Sequence, residues 1–249
     1  MSEPPERGPA AYVAEFVGTF ALVFFITFTV SLYVTPPVNG IQPFIDFSVI
    51  GFVHLLALFM LIQTLAIASG AHFNPAVTLA LLSIRQIRVA DAVIYWMCQL
   101  AGAICAALVT KAILTDEGGA TNYGAPAISS HITNFGGICG EAIGTFFLVW
   151  AIVGVAVNPR AVAGWAGLVI GGTLGLAVMA IGPVTGGSFN PARAFGPALV
   201  GHAFAPSAGI WLLAYVVGPC VGGLAAAIAY HTIYILPGKK GLEGIGPVG

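Results

Sequence analysis

Two short segments of the sequence open with the same tripeptide, asparagine-proline-alanine. The residues are Asn74, Pro75 and Ala76 in the first copy and Asn190, Pro191 and Ala192 in the second. Asparagine suits the N-cap of a helix, and proline suits the first turn, where its missing N–H is not needed. Each tripeptide therefore predicts the positive end of a helix dipole with an amide side chain beside it. This is chemistry for binding and orienting a small polar molecule.

The rest of the sequence offers little that could break a covalent bond. It contains no serine nucleophile elbow, HExxH motif, cysteine–histidine set or phosphate-binding loop. The cysteines, Cys98, Cys105, Cys139 and Cys220, lie in apolar segments without zinc-site spacing, which is typical of small packing residues. We therefore predict that the protein is not an enzyme and uses no cofactor and no metal.

The composition predicts that the protein lies in a membrane. The chain has 249 residues, of which 58% are hydrophobic and only 7% charged. A soluble domain carries about 25% charged residues, so this chain has too few to cover a surface in water. The formal net charge is -1 and the sequence has no basic tail, which argues against a nucleic-acid partner.

Six apolar runs are long enough to cross a bilayer, which takes about 20 residues. The runs are Tyr12–Val34, Phe47–Ser69, Val89–Leu114, Phe135–Val157, Ala161–Ile181 and Ala208–Leu236. The segments that follow the two tripeptides are additional to these runs and too short to span. Backbone that enters a membrane without crossing it is tolerated only where it is buried or lines water. The two short helices therefore predict an aqueous cavity.

The basic residues predict the orientation of the chain. If both termini are cytoplasmic, most of the lysines and arginines face the cytoplasm, as membrane proteins prefer. The residues on that side are Arg7, Arg85, Arg88, Arg160, Lys239 and Lys240. Of the other two, Lys111 lies near an outer loop and Arg193 lies inside the second short segment.

The two halves of the sequence resemble each other. "EFVGTFALVFF" from Glu15 matches "EAIGTFFLVW" from Glu141, and "HFNPAV" matches "SFNPAR". Three spans per half is an odd number, so the second half must enter the membrane with the opposite topology. We predict a single channel domain over residues 1–249, with inverted repeats at about 11–114 and 135–236. Short cytoplasmic tails are predicted at 1–10 and 237–249.

The two tripeptides and the paired "E..GTF" openings together resemble the aquaporin, or major intrinsic protein, family. The resemblance covers nearly the whole chain. It implies an all-α membrane protein of six tilted helices and two re-entrant half-helices, in a right-handed bundle. It also implies a pore in every subunit, assembly as a homotetramer and passive transport of water or small neutral solutes without a cofactor.

The resemblance also implies a narrow selectivity filter of four residues, His54, Val178, Gly187 and Arg193. A buried arginine is costly in an apolar segment unless it faces water or partners, so Arg193 by itself indicates a wet pore. Strict water channels of the family combine Phe, His, a small residue and Arg. The set in this chain is instead similar to that of plant vacuolar aquaporins, which are associated with water and with solutes such as ammonia or urea.

Two alternatives stay open at this point. Glycerol facilitators of the same family carry Asp after the filter arginine and a basic residue four positions further on, where this chain has Ala194 and Ala198. Tyr215 also fits the water branch, but Val216 replaces the second aromatic residue usual there. The other alternative is a secondary transporter, since such proteins also use inverted repeats and broken helices.

Four further polar residues receive predicted roles. The resemblance implies that Glu15 and Glu141 are buried and accept hydrogen bonds from the backbone of a re-entrant loop. A buried carboxylate needs such partners. His72 is predicted to line the inner vestibule of the pore, and Gln99 to pack between helices.

Overall fold

The computed structural model describes residues 4–35, 44–162 and 164–237. This part of the chain is almost entirely helical. Its α-helices are α1 (Pro9–Tyr33), α2 (Phe47–Ser69), α3 (Pro75–Ser83), α4 (Val89–Ile113), α5 (Thr115–Ala120), α6 (Asn134–Ile152), α7 (Ala166–Thr185), α8 (Pro191–Gly201), α9 (Ala208–Leu212) and α10 (Gly218–Tyr230).

Shorter elements complete the description. A π-helical turn at Val153–Val157 extends α6, another at Leu213–Val217 joins α9 to α10, and a third at His231–Ile235 extends α10. A 3₁₀ turn covers Asn122–Gly124. Strands β1 (Val34–Thr35) and β2 (Phe44–Ile45) form one short antiparallel pair.

Within the described part of the chain, six helical stretches are long and apolar enough to cross a bilayer. They are Pro9–Tyr33, Phe47–Ser69, Val89–Ile113, Asn134–Val157, Ala166–Thr185 and Ala208–Ile235. The much shorter helices α3 and α8 each begin at the proline of an asparagine-proline-alanine tripeptide. The predicted class, an all-α membrane protein of six spans with two short helices, is confirmed.

The fifth span differs from its predicted bounds, Ala161–Ile181. The helix begins later, after the turn at Gly164, and it continues past Pro183 to Thr185. The prediction stopped too early because proline usually ends a helix in water, whereas membrane helices tolerate it when neighbours satisfy the freed backbone groups. The helix ends instead at Gly186, whose φ of 80° is left-handed. Lys239 and Lys240, and most of the predicted terminal tails, lie outside the described residues.

The surface of the bundle is apolar, whereas its interior is polar in several places. Ile67 and Leu176 are 97% and 68% exposed, while Glu15 and Arg193 are 0% and 1% exposed. Exposed apolar surface on this scale indicates contact with lipid. The buried polar side chains must then be satisfied by one another or by water in an internal cavity.

Close contacts between helices hold the bundle together at small residues. A Cβ atom on Gly102 of α4 would lie 2.5 Å from the carbonyl oxygen of Phe16 in α1. Gly222 of α10 makes the matching close approach to the backbone of Ala142 in α6. Such approaches are typical of membrane helices, where small residues let backbones touch. The first and fourth spans thus pack against the third and sixth in the same way.

The two ends of the bundle can be told apart. Tyr12, near the start of α1, donates to Asp91, near the start of α4, whereas Thr27 and Thr110 are bonded near the other ends of these helices. We call the end at which α1 and α4 begin and α2 ends the terminal face, and the opposite end the distal face. Helix α3 follows α2 at the terminal face, and α8 follows α7 at the distal face.

Candidate functional site

The short helices α3 and α8 are both capped by their asparagines. Oδ1 of Asn74 accepts hydrogen bonds from the backbone N–H groups of the second and third helical residues, at 2.9 and 3.5 Å. The matching distances for Asn190 are 3.0 and 3.2 Å. Each amide is thereby oriented, with its oxygen on the helix end and its nitrogen directed away from it.

The two caps are joined by reciprocal hydrogen bonds. Nδ2 of Asn74 donates to the carbonyl oxygen of Phe189 at 2.8 Å, and Nδ2 of Asn190 donates to the carbonyl oxygen of Phe73 at 2.9 Å. These bonds bring the N-termini of the two short helices together. An asparagine amide has two N–H groups, so each side chain keeps one donor beyond its bond to the other loop.

A cavity of about 100 Å³ runs past this junction, and we call it the central cavity. Polar side chains enter its wall at several levels: His54, His72, Asn74, Ser188, Asn190 and Arg193. The remaining wall is mainly aliphatic and includes Leu22 and Leu148, which occupy matching positions in the two repeats. The cavity therefore offers a few polar stations in an otherwise apolar passage.

A second cavity of about 330 Å³ lies toward the distal face, and we call it the distal cavity. Arg193 is in the wall of both cavities. The distal cavity also touches Gly186, and the central cavity touches Ser188. The two cavities therefore meet at Arg193.

His54 and Arg193 present complementary hydrogen-bonding groups at this boundary. Nδ1 of His54 lies 2.7 Å from the carbonyl oxygen of Ile50, which can only accept, so the neutral ring carries its proton on Nδ1. Nε2 is then an acceptor, and it has no partner among the described residues. Arg193 donates from Nη1 to the carbonyl oxygen of Gly124 at 2.9 Å, and its buried Nε–H has no partner in the same part of the chain.

Val178 and Gly187 lie next to each other but not in the wall of either cavity. A Cβ atom on Gly187 would lie 3.4 Å from Cγ2 of Val178. Both residues are buried. Of the four residues predicted for the filter, the structure thus brings His54 and Arg193 to the cavity walls and leaves Val178 and Gly187 buried beside each other outside those walls.

His72 lines the central cavity and belongs to a buried hydrogen-bond network. Its Nδ1 lies 3.1 Å from Oγ1 of Thr78, and this oxygen accepts from Nε2 of Gln99 at 3.0 Å. Gln99 was predicted only to pack between helices, but it connects the histidine network to Glu15, which also accepts from its Nε2 at 2.7 Å. The imidazole is therefore positioned by residues of α3 and α4.

Glu15 is fully buried and holds the loop that leads into α3. Its Oε1 accepts from Oγ of Ser69 at 2.7 Å and from the backbone N–H of His72 at 2.9 Å. Its Oε2 accepts from the N–H of Phe73 and from Gln99, both at 2.7 Å. Four donors thus surround one carboxylate, which compensates for its burial.

Glu141 occupies the matching place in the second repeat. Its Oε1 accepts from Oγ1 of Thr185 at 2.6 Å and from the N–H of Ser188 at 2.9 Å. Its Oε2 accepts from the N–H of Phe189 at 2.6 Å. The carboxylate therefore holds the loop that leads into α8, with one donor fewer than Glu15 has.

Comparisons with known proteins agree with this architecture. The family model described as major intrinsic protein matches residues 7–230. The chain is 39% identical over 233 residues to a probable aquaporin AqpM of Archaeoglobus fulgidus, covering 88% of this chain and 95% of the relative. The chain belongs to the major intrinsic protein family.

Other relatives come from plants. Nodulin-26 of Glycine max is 38% identical over 221 residues, covering 89% of this chain and 76% of that protein. Aquaporin TIP2-1 of Zea mays is 36% identical over 231 residues, covering 90% and 87%. The solved structure of an aquaglyceroporin from Plasmodium falciparum matches with a TM-score of 0.77 at 24% identity, over 92% of this chain and 97% of that one, which shows the shared fold.

Family membership shows what kind of protein this is. Members of the family are passive channels and not enzymes, so the protein is an integral, multi-pass membrane channel. The predicted aquaporin resemblance is confirmed. The choice of solute is a finer question, because the relatives include both aquaporins and, by fold, an aquaglyceroporin.

Sequence reasoning missed several residues of this site. Phe73 and Phe189 supply the carbonyl oxygens that tie the two asparagines together, and both have a positive φ, of 48° and 52°. Their rings pack where Gly18 and Gly144 have no side chain. The sequence did contain a signal for these contacts, since the phenylalanines and the glycines each recur at matching positions of the two repeats. Gly124, whose carbonyl holds Arg193, has no such signal because it lies in a loop without a counterpart.

Proposed function

We propose that this channel conducts water and excludes protons and ions. The observation that carries the proposal is the junction of the two short helices in the wall of the central cavity. There, Asn74 and Asn190 each keep one N–H beyond their bonds to the opposite loop. A water molecule at this point can accept from both amides at once.

The junction would orient the water that passes it. A water oxygen that accepts from both asparagines has its own hydrogens turned away, along the passage. Its neighbours then cannot donate to it, and a proton cannot hop through the file. The helix ends add about half a positive charge each, which disfavours a cation at the same point. The aliphatic wall, including Leu22 and Leu148, offers no alternative partners.

His54 and Arg193 would form the second control point, with Val178 and Gly187 setting the space beside them. A permeating molecule meets an acceptor at Nε2 of His54 and a donor at Nε of Arg193. Water can satisfy both groups, and so can ammonia and urea, which also donate and accept. Val178 and Gly187 do not line the cavities, but a larger side chain at either buried position would need space from the passage, so these small residues leave room for the solutes. We therefore include small neutral solutes up to the size of urea in the proposal.

The orientation and the assembly form part of the same proposal. Arg7, Arg85 and Arg88 belong to the terminal face, and cytoplasmic loops carry an excess of such residues. We infer that the terminal face is cytoplasmic and that both termini lie there. We also infer a homotetramer with one pore per subunit, supported by family membership. Light scattering of the purified protein in detergent tests this assembly.

Stopped-flow shrinkage of proteoliposomes tests the proposed function. Purified protein is expected to raise osmotic water permeability well above that of empty vesicles, without any proton flux detected by an internal pH dye. Uptake of ammonia and urea is measured in the same preparation. Vesicles with no added water permeability would overturn the proposal, and a steady proton flux would overturn its claim of exclusion.

Glycerol uptake in the same vesicles tests the remaining alternative within the family. The fold is shared with an aquaglyceroporin, and Val216 stands where the water branch usually has an aromatic residue. Ala194 and Ala198 favour the water branch. Glycerol uptake near the background rate is therefore expected, and uptake faster than that of urea would assign the protein to the glycerol branch.

A further inference from the structure

The short segment before α1 is fastened to the start of α4. Glu6 and Arg88 form an ion pair with an N–O distance of 2.9 Å. The backbone N–H of Arg7 donates to Oδ2 of Asp91 at 3.3 Å. The hydroxyl of Tyr12 lies 2.8 Å from Oδ1 of Asp91 and 2.9 Å from the carbonyl oxygen of Arg7. These contacts fix the backbone of Arg7 at the terminal face.

The guanidinium of Arg7 extends from this anchor to the side of Gly70, a residue in the wall of the central cavity. A Cβ atom on Gly70 would lie 3.8 Å from Nη2 of Arg7 and 3.6 Å from Nε2 of His72. The two nitrogens can therefore be no farther apart than the sum of these distances. Both Gly70 and His72 line the central cavity. Gly70 takes a left-handed φ of 85° that suits glycine, so residue 70 places no side chain between the two groups.

The charge of Arg7 has no ion-pair partner among the described residues. Within residues 4–35, 44–162 and 164–237, the structure records no ion pair to its guanidinium. Asp91 engages the backbone of Arg7, and Glu6 pairs with Arg88. A guanidinium is always charged, so the terminal end of the cavity carries a fixed positive charge beside an imidazole.

We propose that Arg7 and His72 form a second arginine–histidine pair, which repels cations at the terminal mouth of the pore. Arg193 and His54 form the first such pair, at the distal end of the same cavity. The two pairs come from unrelated positions, since Arg193 belongs to a short helix and Arg7 to the segment before α1. A cation approaching from the terminal side would meet Arg7 before it reached the asparagines.

The two charges would differ in strength because they differ in burial. Arg193 is 1% exposed, whereas Arg7 is only partly buried and open to solvent and salt. In water, a unit charge at contact distance lowers the local population of a cation about fivefold. Arg7 is thus expected to contribute a modest factor that depends on ionic strength, on top of the stronger distal barrier.

The inference rests on the proposed water channel, and the test compares proton leaks in proteoliposomes at low ionic strength. The background variant is Arg193→Val, which removes the distal charge, and Arg7→Ala is added to it. The leak of the double variant is expected to exceed that of Arg193→Val about fivefold. Water permeability measured in the same vesicles gives the number of working channels, to which each leak is normalised.

Three further variants in this background separate position from net charge. Arg7→Lys keeps the charge and should restore the smaller leak, and Arg7→Glu should raise the leak above that of Arg7→Ala. Arg85→Ala removes an exposed charge of the same sign from the loop after α3, and should leave the leak unchanged. The effect of Arg7→Ala should also shrink at about 1 M salt, where screening extends over roughly 3 Å.

The outcomes distinguish the inference from the proposed function. If vesicles that contain the unmodified protein show no added water permeability, the proposed water channel itself is overturned. If water permeability is normal and the proton leak of Arg193→Val equals that of the double variant with Arg7→Ala, only the inference is overturned. This holds whether or not Arg193→Val leaks more than the unmodified protein. Equal increases from Arg85→Ala and Arg7→Ala would also overturn it, because net charge and not position would then be responsible.

Discussion

The loop that leads into α3 and the loop that leads into α8 are built alike at their centre and differently at their edges. In both, a buried glutamate receives the backbone N–H of the phenylalanine that precedes the asparagine. In both, that phenylalanine accepts the asparagine amide of the other loop. From here on, the first loop means residues 70–83 and the second loop means residues 186–201, so that each includes its short helix, α3 or α8.

The differences lie within four residues of these shared contacts. His72 precedes Phe73 in the first loop, where Ser188 precedes Phe189 in the second. Thr78 of the first loop bonds Gln99, whereas the corresponding residue of the second loop is Ala194. The second loop instead carries Arg193, which is held by Gly124 from outside the repeat.

This comparison separates two requirements of the pore. In the proposed water channel, orienting a molecule at the centre requires the same donor from both sides, which would explain why the asparagines and their supports are duplicated. Discrimination between solutes and ions at the two mouths would have no such requirement, which would explain why each loop carries its own polar groups. The predictions below test the shared part first and the divergent part afterwards.

The largest expected effect comes from replacing each glutamate by glutamine. In glutamine an N–H₂ group, which cannot accept a hydrogen bond, replaces one oxygen of the carboxylate. The donors that faced that oxygen lose their acceptor, which affects two donors in Glu15→Gln but only one in Glu141→Gln. The expected losses of unfolding free energy are about 2–6 and about 1–3 kcal/mol, respectively. Thermal unfolding in detergent measures both, and an equal or larger loss for Glu141→Gln would contradict the counted contacts.

Gly18 and Gly144, against which the two phenylalanine rings pack, should lose equal amounts of unfolding free energy when each is replaced by alanine. A Cβ at Gly18 would overlap the ring of Phe73, and one at Gly144 would overlap the ring of Phe189. Gly18→Ala and Gly144→Ala should each cost about 1–3 kcal/mol from overpacking. Gly172→Ala is the control, because no atom lies within 4 Å of its Cβ position. If only one of the two glycines is sensitive, the loops are not supported alike.

Val178→His should sharpen the selectivity of the distal mouth. The imidazole is larger than the valine side chain beside Gly187 and should reduce the space left for urea. Urea uptake relative to water permeability is expected to fall at least about tenfold, because a change of one methylene group already has an effect of that size. Val178→Ile adds bulk without polarity, and it therefore separates the effect of side-chain size from the effect of the polar imidazole. An unchanged ratio for both variants would show that residue 178 has no part in the filter.

The smallest effect is expected from making the first loop more like the second. Thr78→Ala copies Ala194 and removes the hydroxyl that contacts Gln99 and His72. A loss of about 1 kcal/mol in unfolding free energy is expected, together with the loss of a fixed orientation for the His72 ring. Thr173→Ala is the control, since this exposed hydroxyl only bonds its own helix. Equal shifts in unfolding temperature would show that the buried network adds nothing.

Much of the site could be predicted because its parts are local or repeated. Asn74 and Asn190 follow from the preference of asparagine and proline for helix starts. Glu15 and Glu141 stand out because a charge inside an apolar span needs a reason, and both occur at the same place in the repeat. The role of Gln99 was underestimated, since its partners, Glu15 and Thr78, are 84 and 21 residues away in sequence.

The sequence by itself determined the spans, the inverted repeat and the two short capped helices. These depend on apolar length and on helix-end preferences, which act between near neighbours. Only the tertiary structure decided which carbonyl each asparagine meets, that Gly124 holds Arg193, and that Arg7 and His72 lie on either side of Gly70. These contacts join residues far apart in the chain, and their geometry exists only after the helices have packed.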